Sequence, residues 1–145
     1  MNIKFGESKF DVEFAYKPTL KERIISKFVA FSDVSTDDGE MDFEKLEDLL
    51  LFIPEVILVG LQKNYVDYRY NYDTKEGKEE QLEKAFEIME EYTSRKDSDI
   101  MELFEKLKEA LLEDGFLRGL FWKEKKKQEE EKANLTTEAT GQSEN

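Results

Sequence analysis

Residues 46–61 read LEDLLLFIPEVILVGL, the longest strongly apolar stretch of the chain. Any fold must pack around it. Glu47, Asp48, Pro54 and Glu55 interrupt it. It is too short and too charged to span a bilayer, which takes about 20 apolar residues. Phe43, Leu46, Leu49, Leu50 and Ile53 recur at helical spacing, which predicts a helix from about Asp42 with these side chains inward. Pro54 has no N–H to donate and should stop or kink that helix. Val56, Ile57, Leu58, Val59 and Leu61 follow, apolar nearly all round, as in a buried central helix.

Upstream, the chain begins with alternation. Ile3 and Phe5 share one side, and after Gly6-Glu7-Ser8 the residues Phe10, Val12, Phe14 and Tyr16 share a face. Period-two alternation around a glycine turn predicts a β-hairpin. Two strands alone are marginal, so the hairpin must pack on something. Pro18 and Thr19 then open a helix whose stripe is Leu20, Ile24, Phe28 and Phe31, widened by Ile25 and Val29. STDDGEMD (35–42) reads as a loop.

Downstream, NYVDYRYNYD (64–73) holds Tyr65, Tyr68, Tyr70 and Tyr72. The last three are spaced by two, which fits an extended segment better than a helix. Residues 74–93 read as a helix with Leu82, Ala85, Phe86, Met89 and Tyr92 on one face. Asp97 and Ser98 are expected to cap the next helix, whose stripe is Ile100, Leu103, Phe104, Leu107 and Leu111. Gly115 breaks it. Residues 116–132 form a charged, helix-compatible extension, and ANLTTEATGQSEN (133–145) has no apolar period and should be disordered. The expected organisation is mainly α. A hairpin packs on a compact bundle of four to five helices in residues 1–115, followed by the extension and the tail.

The 145 residues carry a net charge of −13 and are 39% hydrophobic and 39% charged. The lysines of residues 123–145 nearly balance the glutamates there, so the acidity belongs to residues 1–122. Such a body repels phosphate backbones, which argues against nucleic-acid binding. There is no cysteine and no histidine, which excludes disulfides and thiolate or imidazole metal sites. The N-terminus has no apolar core of a secretory signal.

Few motifs carry chemistry. DDGEMDFEKLEDLL invites an EF-hand, but with Gly39 at the turn position the loop ends on Val34 and Lys45. With Asp33 and Glu44 on the ends, Asp38 replaces the glycine, so neither register chelates calcium. No catalytic constellation, phosphate loop or cofactor motif occurs, and an enzyme is the least expected class. Two aromatic groups stand out instead. Tyr68, Tyr70 and Tyr72 either cover core edges or form a contact surface. Phe116, Leu117, Leu120, Phe121 and Trp122 sit beyond the last stop signal, beside a tail with no core of its own. Either Phe116 and Leu117 fold back on the domain, or the group is a surface for a partner or a second copy. A surface for a partner or for self-association is the expectation for Leu120, Phe121 and Trp122 first, and with them for Phe116, Leu117, Tyr68, Tyr70 and Tyr72.

The order of parts resembles the tail assembly chaperones of long-tailed (siphovirus) phages that infect Gram-positive bacteria. The shared features are the hairpin of residues 3–16, the helix after it, and an apolar segment ending in Gly60-Leu61 within EVILVGLQKNY. Two amphipathic helices come next, then the close EALLEDGFLRGLF and a charged tail. The resemblance spans residues 1–132. It implies a chaperone of the tape measure protein, the long aggregation-prone helical chain that sets tail length. It also implies self-association into rings or spirals, and displacement by the tail-tube protein. Such a protein works in the host cytoplasm and is absent from the mature virion, and a frameshifted, longer form often accompanies it. The alternatives are an acidic interaction protein, such as a nucleic-acid mimic, and a structural virion subunit.

Overall fold

The computed structural model describes residues 1–31, 39–113 and 115–119. Residues 32–38, which include the first half of the expected loop, 114, and 120–145, with most of the expected extension and all of the tail, lie outside the described residues. The protein is mainly helical, with an N-terminal hairpin and, among the described residues, five α-helices. Strands β1 (Asn2–Phe5) and β2 (Ser8–Asp11) pair antiparallel with Ile3 opposite Phe10 and Phe5 opposite Ser8. The two-residue turn needs a positive φ at its first position, and Gly6 supplies it at 69°. Val12 and Phe14 are buried as the alternation predicts, but beyond the paired strand. Glu13 donates its N–H to the Gly60 carbonyl at 3.0 Å instead. Tyr16 departs from the face it was expected to share and is exposed, because helix α1 (Tyr16–Lys21) has already begun there.

The expected first helix is two. Between α1 and α2 (Ile24–Phe31), Arg23 takes φ 54°, a left-handed conformation rare for a side-chain-bearing residue. The break re-aims the chain. Pro18 and Thr19 face the core from α1, Ile24 and Phe28 face it from α2, and Leu20 and Val29 are left outside. Glu22 is buried at the break and pairs with Lys75 and Lys78, which ties the junction to the segment after the tyrosines. Glu55, paired with Lys27 and 3.9 Å from Lys78, extends this network to the next helix.

That helix, α3 (Phe43–Leu61), is a single 19-residue element, so Pro54 neither stops nor replaces it. An interior proline costs roughly 3 kcal/mol. Each large apolar side chain buried returns about 1.5–3 kcal/mol, and Phe52, Ile53, Val56, Ile57, Leu58, Val59 and Leu61 are all buried. Burial of the C-terminal half outweighs the proline. The Asp42 carboxylate caps the N-terminus, accepting from the Glu44 and Lys45 amides at 3.1 Å each. Gly60 lets the hairpin extension close on α3, since a Cβ there would stand 2.6 Å from Val12 Cγ1.

Helix α4 (Lys78–Thr93) starts four residues later than the periodicity predicts. The Asn71 carboxamide accepts from the Asp73 and Thr74 amides, and Gly77 has φ 80°, so residues 71–77 form turns. Helix α5 (Ile100–Glu113) is capped by Asp99, not by Asp97 or Ser98; its carboxylate accepts from the Glu102 amide at 3.1 Å. Phe28 joins α2, α3 and α5, lying edge-on to Phe52 at 5.3 Å and stacked on Phe104 at 5.0 Å. Among the described residues no helix is long and apolar enough to cross a membrane.

Candidate functional site

The face of α3 divides in two along its length. Residues on a helix repeat every 3.6 positions, so Phe43, Leu46, Leu50, Ile57 and Leu61 fall near one line and Leu51 and Leu58 flank it. In the C-terminal half this face is covered, and Ile57, Leu58 and Leu61 are all fully buried. In the N-terminal half, among the described residues, it is bare except at the half-buried Leu46. Phe43 is 74% exposed, Leu51 60% and Leu50 37%. The cause is where α4 begins. Lys78, its first residue, lies 3.9 Å from Glu55, and Ala85 packs with Leu58. The three turns of α3 before Glu55 therefore have no α4 beside them. Phe43 and Leu50 were expected inward; helical spacing identified the stripe, but not that α4 starts too late to cover it.

The bare stripe is acidic within and along one border. Glu47 lies between the Phe43 and Leu51 positions, and Glu44 and Asp48 form the next rows around the helix. Among the described residues, none of these three carboxylates has a cation partner. Leu46 is half-buried against the core and Leu49 is buried, which anchors this half of the helix along the strip's other border. The surface is thus an apolar strip that Glu47 interrupts, with Glu44 and Asp48 along one edge. It suits a helical or extended segment that is apolar on one side and basic beside it.

The residues expected at contact surfaces are divided. Tyr70, 9% exposed, packs with Leu58 and Ala85 and belongs to the interior. Its hydroxyl has no hydrogen-bond partner among the described residues, and burial, with Glu55 nearby, pushes its pKa up. Tyr68 is half-buried, edge-on to Phe10 at 5.8 Å with Lys84 over its ring; burial and then Asp67 and Glu87 raise its pKa. Tyr72 is half-buried under Lys17. The local segment is a short 3-10 turn (Val66–Tyr68) followed by extended backbone, so the spacing of two holds only from Arg69 onward. Leu117 is 4% exposed and part of the main core, and Phe116 packs edge-on against Tyr16 at 5.1 Å. Leu120, Phe121 and Trp122 lie outside the described residues.

A cleft of about 610 Å³ opens between α1 and the tyrosine segment. Its cations are committed within the chain. Lys17 pairs with Asp73 at 3.1 Å and Lys63 with Glu13 at 2.6 Å, while Arg69 donates to the Gln62 and Lys63 carbonyls at 2.9 Å each. Lys17 and Lys21 hold the Asp73 carboxyl below the usual carboxylate range. Burial, with Lys78 and Lys21 nearby, lowers the pKa of Lys75. Among the described residues no cluster of carboxylates is arranged to hold a metal ion. No family model matches the sequence, and no curated protein or solved structure matches the chain.

Proposed function

We propose that this protein is a phage tail assembly chaperone that binds the tape measure protein, keeps it soluble during assembly, and self-associates in several copies. The observation that carries the reading is the bare apolar strip of Phe43, Leu50 and Leu51 on a body of net charge −13. A holdase must offer apolar surface to a client and still resist aggregating with itself. Exposed apolar area supplies the first requirement and like-charge repulsion between bodies the second. The order of parts in the sequence, which resembles that of such chaperones, supports the family. In this reading the protein acts in the host cytoplasm, is displaced as the tail-tube protein arrives, and does not remain in the virion.

The test is co-expression with the tape measure protein of the same genome, the long helical reading frame downstream. Soluble yield and co-purification are compared at low and moderate salt. Rescue that survives moderate salt is expected for contacts made through apolar surface. Glu44, Glu47 and Asp48, which have no cation partner among the described residues, favour one other reading, an acidic protein that occupies a basic partner. That reading requires binding to collapse steeply with salt. Failure of rescue removes the chaperone reading.

A further inference from the structure

We infer that the bare strip on the N-terminal half of α3 is occupied, when no client is present, by residues 120–127 of a second copy of this chain. The inference rests on the self-association part of the proposed function and does not depend on the client. The segment LFWKEKKK places Leu120, Phe121 and Trp122 directly before Lys123, Lys125, Lys126 and Lys127. That is the chemistry the strip lacks, three large apolar groups for Phe43, Leu50 and Leu51, and adjoining cations for Glu44, Glu47 and Asp48. The strip also continues a face that is already an interface farther along the same helix, where Ile57, Leu58 and Leu61 are covered.

Chain geometry decides between the molecule's own segment and a neighbour's. Phe116 packs on Tyr16, two residues after Phe14, whose ring lies against Gly60. The chain therefore leaves the domain at the Gly60 end of α3. Phe43 lies 17 positions before Gly60, about 25 Å along a helix axis. From Gly119 an extended chain reaches Trp122 within about 11 Å. Folded back on its own α3, the segment would lay Leu120, Phe121 and Trp122 over the half that is already covered. Its rings would then miss the apolar strip. A second copy can approach in the register that puts rings on the apolar strip and lysines on the carboxylates. One strip and one segment per chain make the contact heterologous, so it can recur from copy to copy.

The experiment uses the full chain in sedimentation velocity across a concentration series. Two variants are compared with the parent, Phe43→Ser/Leu51→Gln in the strip and Phe121→Ser/Trp122→Ser in the segment. Phe43 and Leu51 are exposed and residues 121 and 122 lie beyond Leu117, so thermal unfolding should be unchanged in both. Self-association should weaken about tenfold or more in each. Mixing the two variants should restore a complex of two, because one copy keeps a strip and the other a segment. A parent that stays monomeric throughout the series overturns the inference, as do variants that assemble like the parent or a mixture that stays monomeric. Client rescue is scored separately in the co-expression assay, so a parent that stays monomeric, or variants that assemble like the parent, with rescue intact condemns this contact and not the chaperone reading.

Discussion

At the scale of single residues, two buried polar groups have opposite prospects. Glu22 sits at the α1–α2 break with Lys75 and Lys78 on its carboxylate. Glu22→Gln should destabilise the fold by roughly 1–3 kcal/mol, since the amide cannot replace two charge-assisted contacts. The loss stays below that of a fully buried pair because Lys75 is exposed and can turn to water. Urea unfolding of the variant checks this. Tyr70 is the reverse case. Its buried hydroxyl has no partner among the described residues, so Tyr70→Phe should be neutral or stabilising by up to about 1 kcal/mol. Burial raises the folded-state pKa above the usual value of about 10. The stability tied to the neutral phenol is complete below pH 10 and drains away as the unfolded chain ionises above it. Unfolding midpoints between pH 9 and 11 should therefore fall less steeply in Tyr70→Phe than in the parent.

At the scale of elements, α3 shows what was legible and what was not. Its helical period, its start at Asp42 and the burial of residues 56–61 can be read from side-chain pattern alone, because each is a local property. Whether Pro54 would end it depended on how much apolar surface lay beyond, and on which elements came to cover that surface. The same long-range information decides the exposure of Phe43 and Leu50. The pattern was amphipathic, but the neighbour that would bury the stripe starts at Lys78, beside Glu55. The α1–α2 break was hidden for a similar reason, since Arg23 adopts a left-handed φ to let Glu22 meet lysines more than fifty positions away. Of the expected contact residues, Leu117 and Tyr70 were aromatic or apolar for the sake of the core. Gly60 was read as a landmark, and its role is steric. Gly60→Ala should destabilise by about 1–3 kcal/mol by pushing on Val12. Much of that loss should return when Val12→Ala is added, and a double-mutant cycle in denaturant measures the coupling.

At the scale of the whole molecule, the question is where the folded unit ends. A boundary at Gly115 matches the end of α5, but the packing does not stop there. Leu117 is buried among the core side chains, and Phe116 leans on Tyr16 at the entrance to α1. These two residues close the seam between the last helix and the segment that links the hairpin to the first. Ending the chain after Gly115 strips a buried leucine and a half-buried aromatic ring from that seam, a loss of roughly 2–5 kcal/mol. For a domain whose total stability is of the order of 5–15 kcal/mol, that removes a large share. Ending it after Gly119 keeps both residues and removes only residues 120–145. Thermal unfolding should therefore be lower in the shorter truncate and close to the parent in the longer one. Self-association, in contrast, should be lost from both, because both lack Leu120, Phe121 and Trp122. Full assembly by the longer truncate would place the contact between copies on the folded body, and equal melting of the two truncates would mean that Leu117 contributes little to the core it occupies.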